Sequence, residues 1–275
     1  MDKDNTLSCN TNLVAHGRAL TLAITFFTRF PTWQLKQIKD DDMGRALLYL
    51  PMAGLILGLF AVSVGWLLEL VLMSWHGSLS MVHTILIGFI TFTVLTLASG
   101  GLHLDGLADC ADAWVGGMGD RDRTLEIMKD PTCGPMAVFI LVVLLLLKAA
   151  AVVSLVMMSG WLVLILIPVL SRSAGMALFI FSDYVRPKGL GQAFADYSGR
   201  AQCKFVLFLS LCIPLLAAGN TLWLPALISL AFWVWLKRES TQRIGGFTGD
   251  VAGAVIELLE ACLLVTAALF FQSSG

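Results

Sequence analysis

The sequence predicts an all-α polytopic membrane protein of about seven transmembrane helices, preceded by an N-terminal helix that lies at the interface or re-enters the bilayer. Three observations carry this. Hydrophobic residues make up 57% of the 275 residues and charged residues only 13%, about half the charge of a soluble domain. Apolar runs near the length of a bilayer span recur along the whole chain. Lys and Arg fall almost entirely in alternate connections, the pattern of a chain oriented by the positive-inside rule. A formal net charge of −1 gives no overall basic surface, so nucleic acid is not an expected partner and anion binding must be local. The chain reads as one integral membrane domain over 1–275, in contact with membrane lipids.

Residues 13–30 approach the ~20 residues a span needs, but they carry His16, Arg18 and Arg29 and stop at Pro31. Two arginines make crossing costly, which favours the interface over a span for this part of the 1–45 segment. Asp40, Asp41 and Asp42 suit a helix N-terminus, where carboxylates meet free N–H groups and the positive dipole end. Seven apolar runs follow, at 46–73, 84–99, 136–158, 161–181, 205–218, 222–236 and 253–271. Of the 18 Lys and Arg, 16 lie in 1–45, 100–135, 182–204 and 237–252, whereas 74–83, Gly160 and 219–221 carry none. The basic segments thus share one face, expected to be cytoplasmic. Lys148 and Arg172 fall inside apolar runs; snorkelling alone would account for Lys148, for which no role is claimed, and it is the alternative reading for Arg172. The six cysteines show no CxxC spacing and read as free thiols. The opening MDKDNTLSCNTN lacks a signal-peptide pattern.

The acids collect on the same face. If residues 105–112 are helical at ~100° per residue, Asp109 lies ~40° from Asp105 and Asp112 about 20° to its other side. Like charges at this spacing repel by a few tenths of a kcal/mol per pair, which no purely structural helix explains. A divalent cation does, because clustered hard oxygens suit Mg²⁺, Mn²⁺ or Ca²⁺. The plainer alternative is a solvated acidic loop between spans.

Residues 121–129 read as a short helix capped by Asp120 and stopped by Pro131. Its Asp122, Glu126 and Asp130, with Arg123 and Lys129 nearby, fit a salt-bridged surface helix as well as a site. Arg172 in LSRSAGMAL costs at least ~2.5 kcal/mol at mid-bilayer, and a phosphate or a carboxylate would recover that. Pro187-Lys188-Gly189-Leu190-Gly191 is a basic turn that could offer N–H groups and a cation to phosphate. Gly245-Gly246-Phe247-Thr248-Gly249-Asp250 opens the last span, where its glycines allow a close backbone approach to a ligand. Asp250 and Glu257 align within ~20°, Glu260 is a turn further on, and acids in such a helix need partners. Asp250 as a plain helix cap is the competing reading.

Taken together, HLDGLADCADAWVGG, EIMKDPTCGP, KGLG and GGFTGDVAGAVIELLE, with FFTRFP near the start, resemble the cobalamin-5'-phosphate synthase (adenosylcobinamide-GDP ribazoletransferase) family over nearly the whole chain. The resemblance implies joining of adenosylcobinamide-GDP with alpha-ribazole or its 5'-phosphate, assisted by Mg²⁺ or Mn²⁺, with release of GMP. A homo-oligomer, or a complex with other cobalamin assembly enzymes, is a compatible setting. Asp105-Gly106 and Ala108 also resemble the start of the CDP-alcohol phosphotransferase motif DGxxAR…GxxxD…D, but its arginine and downstream spacing are missing. A lipid-headgroup transferase is therefore the alternative enzyme. A cation transporter is the alternative of another class, although transporters place their acids near the midplane.

Attack on a pyrophosphate needs neutralised oxygens, an aligned hydroxyl and a base. The expected metal ligands are Asp105, Asp109, Asp112 and Asp250. Arg123, Lys129, Arg172 and Lys188 are the expected phosphate partners, with Glu257 and Glu260 supporting them, and the base is Asp130 or His103. His103 would point away from the aspartates if the helix already includes it.

Overall fold

The computed structural model describes residues 3–33, 35, 37–187 and 189–271. Helix α1 (Lys3–Phe27) is followed by α2 (Asp40–Ala46), which runs through a 3₁₀ turn (Leu47–Tyr49) into α3 (Leu50–His76). Then come α4 (Met81–Ser99), α5 (Leu102–Gly116), α6 (Arg121–Ile127), α7 (Pro135–Met157) and α8 (Trp161–Phe181). The chain closes with α9 (Leu190–Tyr197), α10 (Arg200–Ala217), α11 (Asn220–Ile244) and α12 (Gly249–Phe270). Proline and glycine punctuate these helices: Pro51 opens α3, Gly77 ends it at φ +73°, and Gly134-Pro135 opens α7.

Among the described residues, six helices are long and apolar enough to cross a membrane: α2 with α3, α4, α7, α8, α10 and α12. The seventh apolar run lies in α11, a continuous helix of 25 residues. It falls short in apolarity because Lys237, Arg238, Glu239, Thr241, Gln242 and Arg243 fill its C-terminal third. The apolar part of α1, Val14–Phe27, is about 21 Å long against a hydrocarbon core of ~30 Å. The three aspartates do open α2, and Asp42 accepts from Arg18 of α1 at 2.7 Å.

Helices α8 and α12 form the buried centre, and the others present large apolar side chains such as Phe60, Trp66, Leu146, Phe205 and Leu227 outward. Gly54 and Gly58 let α3 lie directly on α8: a Cβ at either would meet the carbonyl of Pro168 or of Ile165. Small residues four apart are the usual device for close helix packing in lipid.

Four apolar clusters fill the bundle among the described residues. Of the two largest, one gathers Val152, Leu155, Ile167 and Leu264, the other Leu107, Leu178, Phe247 and Val255. Between them along α7, α8 and α12 sits a quartet of buried charges. Lys148 is 3% exposed and does not snorkel, because α12 turns two acids toward it. Its Nζ donates to Glu257 at 2.7 Å and lies 2.8 Å from Glu260. Arg172 pairs with the other oxygen of Glu260 and donates to Ser171. The carboxylate that recovers the desolvation of Arg172 is therefore Glu260.

Candidate active site at the junction of α5 and α12

Helices α4 and α5 would be one rod but for Gly100 and Gly101, both left-handed at φ +81° and +77°. Side-chain-bearing residues strain there, and the break re-aims α5 along the start of α12. Arg29 fixes the bend by donating to the Gly100 carbonyl at 3.1 Å. The two helices then touch backbone to backbone, since a Cβ on Gly106 would lie 2.7 Å from the Asp250 carbonyl oxygen. The first acidic motif and the last are thereby joined.

Asp105, Asp109 and Asp250 all line one cavity of about 650 Å³. Arg186 enters it too, and its guanidinium donates to Asp250 at 2.6 Å. A two-stranded contact aims it there: Val185 N–H donates to the Phe247 carbonyl and Phe247 N–H to that of Asp183, at 3.0 and 2.9 Å. Gly246 permits the contact, because a Cβ would collide with the Asp183 carbonyl. This glycine serves the chain's own packing, where the sequence suggested room for a ligand. Thr248 caps α12 by accepting from Val251 N–H, so the Asp250 carboxylate is not spent on the cap and receives Arg186 and the Thr248 hydroxyl at the cavity.

Charge crowding shows at Asp109, whose carboxyl is raised to about 6, first by burial and then by Asp250 and Asp105. A divalent cation would relieve that repulsion, so the donor set has the right chemistry for one. Among the described residues, no group of three or more His, Cys, Asp or Glu side chains stands ready-made as a metal cage. Mg²⁺ sites commonly use one or two carboxylates and complete the shell with water and substrate phosphate.

A model of the family described as cobalamin-5-phosphate synthase matches residues 19–268. The chain belongs to the cobalamin-5-phosphate synthase family. An adenosylcobinamide-GDP ribazoletransferase of Pseudomonas fluorescens is 44% identical over 90% of this chain and 98% of its own length. A ribazoletransferase of the same name from Pseudomonas putida is 44% identical over 90% and 97%, and one from Pseudomonas savastanoi is 41% identical over 90% and 98%. No solved structure matches the chain.

In this member of the cobalamin-5-phosphate synthase family the remaining sequence-derived residues divide by position. Asp112 turns to α7 and accepts from Gly134 N–H at 2.6 Å and Ala137 N–H at 3.0 Å, as a helix cap. Lys129 and Asp130 line the cavity. The Asp130 carboxyl is held below the ordinary range by the hydroxyl and N–H of Thr132, both bonded to Oδ1. Arg123 pairs with Glu126 at 2.9 Å on the exposed face of α6, whose first turn Asp120 caps. Lys188 lies outside the described residues. Arg172, Glu257 and Glu260 are in the buried quartet. His103 is already helical, yet it lines the same cavity as Asp105 and Asp109 because the groove continues past Gly253, where α5 and α12 again touch. Burial, then Arg172, pull the His103 imidazole down to about 4. The residue the sequence reading missed is Arg186, two positions before the lysine chosen from the same basic turn. Five cysteines, from Cys110 to Cys262, are free thiols, as expected.

Proposed function

We propose that the protein joins adenosylcobinamide-GDP to alpha-ribazole or its 5'-phosphate, releasing GMP and giving adenosylcobalamin or its 5'-phosphate. Its similarity to the ribazoletransferases over nine-tenths of the chain supports the reaction. The observation that carries the site is the meeting of Asp105 and Asp109 with Asp250 and Arg186 at one cavity.

The ribazole hydroxyl oxygen forms a bond to the phosphorus that stays with cobinamide. The bond from that phosphorus to the bridging oxygen breaks, and GMP leaves with the electron pair. Asp105, Asp109 and Asp250 would hold Mg²⁺ or Mn²⁺, and such an ion, when bound, supplies charge neutralisation to the pyrophosphate oxygens. Arg186 and Lys129 supply fixed positive charge beside them. Asp130 takes the proton of the attacking hydroxyl: it lines the cavity, and among the described residues Thr132 holds only Oδ1 and nothing is bonded to Oδ2.

The reaction lies on the cytoplasmic face of a bacterial inner membrane. Support comes from the basic segments sharing the end of the bundle that carries this cavity, and from the bacterial relatives. The test is purified protein in detergent with adenosylcobinamide-GDP, alpha-ribazole and Mg²⁺. GMP and cobalamin are expected in equal amounts. No GMP release, or no loss of it on chelation, refutes the reaction or the metal respectively.

A further inference from the structure

The cavity has two chemically distinct ends. One is charged, with Asp105, Asp109, Asp250, Arg186 and Lys129. The other is aromatic, lined by Phe26, Phe27, Phe179 and Phe194, with His103 among them. Phe27 stacks on His103 at 6.0 Å between ring centroids, and Phe194 packs against Phe27 and Phe26 at 5.9 and 5.8 Å. His103 is only 4% exposed, and among the described residues neither of its ring nitrogens has a hydrogen-bond partner. A buried polar group without a partner is costly in a native protein and calls for an explanation. A ligand in the cavity that His103 lines would satisfy one of the two nitrogens once the ring turns toward it, both being closed to water in this conformation.

We propose that the aromatic end is the base-binding subsite for the azole nucleoside, with His103 hydrogen-bonding an azole ring nitrogen. This rests on the reaction proposed above. That reaction brings two heterocyclic bases to the site, and their edges differ. Guanine presents O6, N7, N1–H and N2–H₂, and a pocket with one polar side chain would leave most of them unpaired. An azole base presents a broad apolar face and a bare ring nitrogen, which suits stacking phenylalanines and one imidazole. The guanylyl portion then occupies the charged end with its phosphates. The attacking hydroxyl, carried on the azole nucleoside, approaches from the aromatic side.

Calorimetry with alpha-ribazole on wild type and His103→Phe tests the subsite without turnover. The phenyl ring keeps the stacking surface and removes the hydrogen bond. Binding is expected to weaken about tenfold, while GMP binds both proteins equally. His103→Gln, which restores a donor and an acceptor, should recover part of the loss. In steady state the KM for alpha-ribazole rises alike, with the KM for adenosylcobinamide-GDP unchanged. Equal alpha-ribazole binding by wild type and His103→Phe, or a loss confined to GMP, overturns the proposal. Should His103→Phe fail to fold, wild type decides: benzimidazole must compete with alpha-ribazole and not with adenosylcobinamide-GDP, and the reverse overturns it. Wild type that binds alpha-ribazole through His103 but releases no GMP would refute the reaction and leave the subsite standing.

Discussion

Replacing Lys148 by methionine removes one positive charge from a quartet in which every member is at most 3% exposed. The pairings are unequal. Glu260 keeps Arg172, whereas Glu257 has Lys148 as its ion-pair partner, at 2.7 Å. Lys148→Met therefore leaves one carboxylate buried and unpaired, which destabilises a fold by about 3–5 kcal/mol. Adding Glu257→Met removes the stranded charge and substitutes an apolar contact, a change that ranges from neutral to stabilising by about 1–4 kcal/mol. The double variant should thus be more stable than either single one, with a coupling energy of at least ~3 kcal/mol. Reversible unfolding of the purified protein in detergent measures all four corners of the cycle. A Lys148→Met variant as stable as wild type, or a double variant no better than the singles, would refute the assignment of these charges as a mutually dependent set.

Asp109→Asn should abolish most turnover yet stabilise the metal-free protein. The raised carboxyl means that stability present below about pH 4 is lost as pH rises through about 6, so in EDTA the gap between variant and wild-type Tm should widen over that window; a constant gap counts against the crowding. Asp112→Asn keeps an acceptor for Gly134 and Ala137 and should retain most activity, while Asp112→Ala lowers stability by about 1 kcal/mol; near-complete loss of turnover in both, at normal stability, would return Asp112 to the metal. Asp250→Ser leaves the Thr248 cap intact and should lower turnover at least about tenfold with a raised Mg²⁺ requirement, measured as GMP release against Mg²⁺ concentration. Arg186→Gln should raise the KM for adenosylcobinamide-GDP more than that for alpha-ribazole, because it removes a positive charge from the acidic part of the cavity, beside Asp250.

What could be read in the chain depended on how local the cause was. Hydropathy alone marks the long helices, and helical spacing alone puts Asp105 and Asp109 on one arc. Charge in an apolar run flagged Arg172, Glu257 and Glu260, but the pairing of the two acids with Lys148 and Arg172 depends on the register of three helices, which no local pattern carries. Asp112 shows the same limit. Its angular position agrees with the other two aspartates, yet the start of α7 claims its carboxylate. Arg186 was hidden because a contact between two loops aims it, and the sequence offers only a basic turn. The glycines near 245 were visible as close-approach positions, but not what approaches: backbone of the same chain.

The contact of Gly106 with Asp250 also bears on the order in which the protein becomes competent. Helix α5 is made before α12, and 144 positions separate Gly106 from Asp250, so the two meet only after most of the bundle has been synthesised. Until then Lys148 and Arg172 sit in the bundle without Glu257 and Glu260, and the aspartates of α5 face no opposite wall. The docking of α12 brings both acids to the interior cations and supplies the Asp250 side of the cavity. A chain lacking it therefore keeps two unpaired cations in its interior and has no Asp250 side to its cavity.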